Sequence, residues 1–123
     1  MNVIDSSVWL EYFADTKEAA NFTIAIEDTE KLIVPVITIY EVYKKILQQR
    51  NENDALLIIA HIQQGKVINI DTSLAIFAAK LSFENKIPLA DSLILATTRK
   101  FNAVLWTQDS HFESFPDVKY FSK

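Results

Sequence analysis

Short apolar runs alternate along the chain with longer stretches whose apolar residues recur every three or four positions. The runs predict strands at 2–5 (NVID), 31–35 (KLIVP, stopped by Pro35), 67–70 (VINI) and 103–107 (AVLWT), with a short fifth at 118–121. The periodic stretches predict helices between them. One starts at SSVWLEYF, capped by Ser6 or Ser7, and a modest second helix covers 18–29. A third covers 37–50, with Ile39, Val42, Tyr43, Ile46 and Leu47 on one face. A fourth covers 51–66 and uses Gly65 as its C-terminal cap. A fifth covers 72–85, with Leu74, Phe77, Ala78 and Leu81 inward, and a sixth covers 88–100. Strands that alternate with helices predict an α/β fold. The expected form is a three-layer α/β/α sandwich around a central parallel sheet of four or five strands.

Composition narrows this picture. A chain of 123 residues and 14.1 kDa suits a single domain spanning 1–123. Half of the residues are hydrophobic and only one is glycine, which argues against disorder. Cysteine is absent, which excludes disulfide and thiol chemistry and fits a reducing, cytoplasmic setting. The start, MNVIDSSVWLEYF, has no basic segment and meets Asp5 early, unlike a signal peptide. No apolar run is long enough to predict a membrane span. The net charge of −4 does not advertise nucleic-acid binding, so contact with nucleic acid would need a metal, a local basic patch or a partner.

The acids carry the candidate chemistry. Open parallel sheets bind ligands beyond the carboxyl ends of their strands. Asp5 ends the first predicted strand, and Asp109 follows the fourth by two residues. Glu41 is near the start of the helix after the second strand, and Asp91 is in the first turn of the helix leading into the fourth. All four map to one rim, whereas Asp71 follows an outer strand. Carboxylates without a matching His or Cys cluster favour Mg²⁺ or Mn²⁺. His61 and His111 are the only histidines, which disfavours zinc, and a lone glycine excludes a P-loop or a dinucleotide fingerprint. Each residue also has a structural reading. Asp5 can initiate a turn, Glu41 can close a capping box with Thr38, and Asp91 can cap its helix, although Pro88 at the first helical position would put it inside. Asp109 can be an ordinary loop acid, and His111 is expected to be a loop or packing residue.

Four stretches, VIDSSVWLEYF, ITIYEV, PLADSLILAT and LWTQDSHF, resemble the PIN-domain ribonucleases, in particular the toxins of VapBC-type toxin–antitoxin modules. Their order and spacing agree along nearly the whole chain. The resemblance implies Mg²⁺- or Mn²⁺-dependent hydrolysis of RNA, with Asp5, Glu41, Asp91 and Asp109 as catalytic, metal-holding acids. Ser6 and Thr107 match the small hydroxyl residues that orient carboxylates, water or phosphate. Some relatives have a further acid where this chain has His111. The resemblance also implies a homodimer and a small antitoxin partner. Trp9, Tyr12, Phe13, Tyr40 and Tyr43 are candidates for those surfaces, and Lys44, Lys45, Arg99 and Lys100 for steering the RNA backbone. Attack by water predicts 5′-phosphate and 3′-hydroxyl ends. Two alternatives stand beside this reading. One is a catalytically inactive PIN-like binding protein. The other is a phosphoacceptor signalling domain built on Asp71, against which no convincing Lys follows VLWT.

Overall fold

The computed structural model describes residues Met1–Lys123. Side chains alternate across a strand, so the strand sequences decide which residues face which layer. In β1 (Asn2–Ile4), Val3 enters one core and Ile4 the other. In β2 (Leu32–Pro35), Ile33 joins Val3, while Leu32 and Val34 join Ile4. Strands β3 (Lys66–Ile68), β4 (Val104–Thr107) and β5 (Val118–Tyr120) complete a five-stranded sheet in the order β3-β2-β1-β4-β5. Every pairing is parallel, and Val3 lies opposite Ile33 on one side and Leu105 on the other.

The helices cover both faces. Helices α1 (Ser6–Phe13), α2 (Thr23–Glu27), α3 (Val36–Gln49) and α4 (Glu52–Ile62) bury Val8, Trp9, Ile26, Val42, Ile46 and Ile62 against Ile4, Leu32 and Val34. Helices α5 (Thr72–Asn85) and α6 (Leu89–Lys100) bury Leu74, Ala78, Leu81, Ile94 and Leu95 against Val3, Ile33 and Leu105. The result is the α/β/α sandwich with a parallel sheet, and the short fifth strand is part of it. No helix is long and apolar enough to cross a membrane.

Several local expectations are revised. The helix expected over 18–29 is a 3₁₀ turn at Lys17–Asn21 followed by the short α2. The break falls at Phe22, whose buried ring sits edge-on to Trp106 and Phe121. Leu47 and Phe77, expected inward, are 42% and 36% exposed. The buried stripe of α3 is Thr38, Val42 and Ile46, and that of α5 is Leu74, Ala78 and Leu81, both narrower than the apolar pattern. Gly65 lies beyond the end of α4 and does not have a positive φ, so it is not a left-handed cap. Its lack of a side chain serves close packing instead. A Cβ there would lie 2.8 Å from Leu32 Cγ and 2.9 Å from Val34 Cγ2. Pro88 is the N-cap of α6 rather than its first helical residue.

Candidate active site

The chain leaves β1 towards β2 on one side and later returns to pair β4 on the other. A crevice at such a switch point, beyond the carboxyl ends of the strands, is where open α/β sheets place ligands. Asp5 immediately follows β1, and Asp109 follows β4 by two residues. Helix α6 returns against the strand direction, so its first turn brings Asp91 to the same rim. Glu41 is in the second turn of α3, after β2.

Asp5 is only 4% exposed. Ser7 Oγ and Thr107 Oγ1 each donate a hydrogen bond to its Oδ2, both at 2.8 Å. Each hydroxyl in turn accepts a backbone N–H from the loop after β4: Gln108 to Ser7 Oγ at 3.3 Å and Asp109 to Thr107 Oγ1 at 2.9 Å. The loop therefore orients both hydroxyl protons towards Asp5. Burial raises the Asp5 carboxyl to about 6; the two hydroxyls oppose this, and the charges of Glu41 and Asp91 add to it. Asp91 is also raised, first by burial and then by the Asp109 charge, with His111 acting in the opposite direction.

His111 Nδ1 lies 2.9 Å from Asp91 Oδ2 and 3.2 Å from Asp109 Oδ1. Its backbone N–H also donates to Asp109 Oδ1 at 2.9 Å. Its imidazole is raised by the bond to Asp91 and then by the Asp109 charge. Metal-ligating atoms of Asp91, Asp109 and His111 all fall within 4.8 Å of one another. Glu41 Oε1 accepts a 2.5 Å hydrogen bond from Ser6 Oγ.

The structural readings of these residues fare differently. Asp91 makes no cap bond, since Pro88 holds the cap position. The Thr38–Glu41 capping box does not form: α3 starts at Val36, and Thr38 Oγ1 is buried without a partner. Asp109 does organise its loop, capping the 3₁₀ turn Ser110–Phe112. Asp71 caps α5 through the Leu74 N–H, at the edge strand β3 and away from the crevice. His111 is in a loop, as expected, but its ring is neither packed nor free: it joins the acids. Trp9, Tyr12 and Phe13 pack into one aromatic cluster with Trp9 in the core; on α3, Tyr43 packs against the same core and Tyr40 is 60% exposed. Arg99 and Lys100 are in the last turn of α6, one helix length from Asp91, where they approach Asp117 and Asp71. Lys44 and Lys45 are one turn beyond Glu41, on the acidic side.

Sequence reasoning missed Ser7 as a partner of Asp5 and His111 as a partner of Asp91 and Asp109. The signal for both was a two-residue spacing from an acid, which needs the local turn to become meaningful.

The PIN domain family pattern matches residues 3–118 of this chain. The chain belongs to the PIN-domain family. Solved structures share the fold over nearly the full length. A toxin–antitoxin complex from Klebsiella pneumoniae has a TM-score of 0.84 at 22% identity, with 100% of each chain covered. VapC20 of Mycobacterium tuberculosis, described as a sarcin–ricin loop cleaving toxin, has a TM-score of 0.77 at 14% identity, with 94% of this chain and 95% of that one covered. FitAcB from Neisseria gonorrhoeae has a TM-score of 0.75 at 20% identity, covering 99% and 97%. No curated protein matches the chain in sequence. At these identities the structural likeness speaks for the fold.

The donor set of this PIN domain suits a divalent cation. It offers carboxylate oxygens and one imidazole nitrogen, and Asp5 and Asp91 are raised chiefly by burial, with the neighbouring carboxylates adding to it, a cost that a bound cation would relieve.

Proposed function

We propose that this chain is a Mg²⁺- or Mn²⁺-dependent endoribonuclease and the toxin of a type II toxin–antitoxin module. The observation that carries the reading is the convergence at the β1/β4 switch point of buried Asp5 with Asp91 and Asp109, beside Glu41. Asp5, Asp91, Asp109 and Glu41 would hold the metal. When bound, a divalent cation there acidifies water and stabilises negative charge on a phosphoryl group.

The chain's own residues supply position. Ser7 and Thr107 occupy Asp5 Oδ2, which leaves Oδ1 for the site. Ser6 occupies Glu41 Oε1, leaving Oε2 to accept a hydrogen bond from the attacking water and orient it. In-line attack by that water breaks the bond to the 3′-oxygen, giving 5′-phosphate and 3′-hydroxyl ends. Lys44 and Lys45, one turn beyond Glu41 on α3, would meet the RNA backbone there.

Likeness to toxin–antitoxin complexes supports a small antitoxin as partner, and likeness to a toxin that cleaves the sarcin–ricin loop supports RNA as substrate. We extend the reading to a homodimer of single-domain chains, residues 1–123, acting in the cytoplasm. The test is sequencing of RNA ends after incubation of antitoxin-free protein with total RNA and Mg²⁺ or Mn²⁺, beside Asp91→Asn. New ends with 5′-phosphates that vanish in the variant support the reading. An unchanged RNA profile with both metals overturns it.

A further inference from the structure

The ring of His111 does more in this site than fill a loop. We propose that His111 is a metal ligand, which makes the centre a mixed carboxylate–imidazole site that selects Mn²⁺ over Mg²⁺. The inference rests on the reading of the crevice as a metal centre and deepens it by naming the donor and the ion.

The geometry carries the argument. Neighbouring ligands of an octahedral ion with bonds of about 2.1 Å are separated by about 3 Å. His111 Nδ1 is 2.9 Å from Asp91 Oδ2 and 3.2 Å from Asp109 Oδ1, which is the spacing of adjacent corners. The turn is built to keep it there. Asp109 Oδ1 accepts the His111 backbone N–H, and Phe112, the next residue, is fully buried and anchors the turn in the core. The imidazole itself is 57% exposed, so it can turn from the carboxylates to an ion without disturbing the core.

The residue type decides the selectivity. A Lys or Arg at this position would be only a counter-ion, because neither has a free lone pair when charged. Imidazole is a good ligand for transition ions, whereas Mg²⁺ strongly favours oxygen and retains water. Two carboxylates and an imidazole suit Mn²⁺, which accepts both donor types.

The competing account makes His111 a positive counter-ion to Asp91 and Asp109, displaced when metal binds. The two accounts predict opposite signs. Losing a ligand weakens Mn²⁺ binding, whereas losing a competitor strengthens it. The experiment is Mn²⁺ titration of RNA-free protein followed by electron paramagnetic resonance, with pulsed detection of nitrogen hyperfine coupling. Mg²⁺ affinity is measured by competition. Wild type is compared with His111→Ala and His111→Asp, with circular dichroism to verify folding.

The expected result is nitrogen coupling in wild type that both variants lose. Mn²⁺ affinity falls about tenfold or more in His111→Ala. Mg²⁺ affinity changes less, and His111→Asp binds Mg²⁺ more tightly than His111→Ala does. Mn²⁺ bound to wild type without nitrogen coupling overturns the ligand role while leaving the metal centre intact, as does tighter Mn²⁺ binding by His111→Ala. Failure of wild type to bind Mn²⁺ overturns both the ligand role and the metal-centre reading beneath it.

Discussion

Replacing Asp5 with Asn should make the metal-free protein more stable at high pH, although Asp5 is the best-buried acid of the site. The carboxyl is raised from 3.8 to about 6, chiefly by burial. A carboxyl whose folded value exceeds its unfolded value binds its proton more tightly in the folded state. Its contribution to stability is complete below 3.8 and is lost as pH rises through about 6. At about 1.36 kcal/mol per pH unit, the ionised carboxylate costs the metal-free fold about 3 kcal/mol near pH 8. Asn presents a neutral oxygen to Ser7 and Thr107, so it keeps an acceptor for those hydroxyls while removing the buried charge. Its weaker, uncharged hydrogen bonds offset part of the gain, leaving a net of about 1–3 kcal/mol. The assay is urea denaturation of both proteins in EDTA at about pH 5 and pH 8. Asp91 and His111 are also raised and also lose stability as pH rises, but they are common to both proteins and largely cancel in the difference. A stability difference that is the same at both pH values would refute the argument. The same substitution should abolish RNA cleavage, separating what the charge does for the site from what it does to the fold.

Thr107→Val removes a donor to buried Asp5 and the acceptor of the Asp109 N–H, with little change in shape. Urea denaturation should show a loss of about 1–3 kcal/mol, and Mn²⁺ affinity should fall with it. Gly65→Ala forces a Cβ to within 2.8 Å of Leu32 Cγ. It should lower the urea midpoint by the equivalent of about 1–3 kcal/mol, with the specific RNase activity of the folded fraction unchanged. Phe112→Ala empties a fully buried position beneath the loop that carries Asp109 and His111. Stability should drop by about 3–5 kcal/mol, and Mn²⁺ binding measured below the unfolding transition should weaken as the loop loses its anchor.

Much of the architecture is legible in the chain because it depends on local rules. The alternation of Val3 with Ile4, and of Ile33 with its neighbours, states that the central strands are covered on both faces. The position of Asp5 and Asp109 after strands is then enough to place them on one rim. What cannot be read locally depends on rotation and direction. Ser6 and Ser7 are adjacent hydroxyls after the same acid, and only the rotation of α1 sends Ser6 to Glu41 and Ser7 to Asp5. His111 is two residues from Asp109, but whether its ring reaches Asp91 depends on the 3₁₀ turn between them. Arg99 and Lys100, candidates for steering RNA, belong to the helix of Asp91. The direction of α6 carries them to its opposite end, where they meet Asp117 and Asp71. The narrowness of the buried stripes misled in the same way: Leu47 and Phe77 fit an apolar period, but the sheet is reached by only part of each helix face.

The hydrogen bond between Thr107 and Asp5 joins residues 102 positions apart. Synthesis proceeds from the amino end, so Asp5 emerges 102 residues ahead of Thr107, one of the two hydroxyls that orient it. A nascent chain that has not reached β4, or one truncated before it, has three of the five strands and all six α-helices but no β4 to form the other wall of the crevice. A ribosome making this protein is therefore not exposed to a finished site until β4 and the Asp109 loop have followed the first three strands out of it.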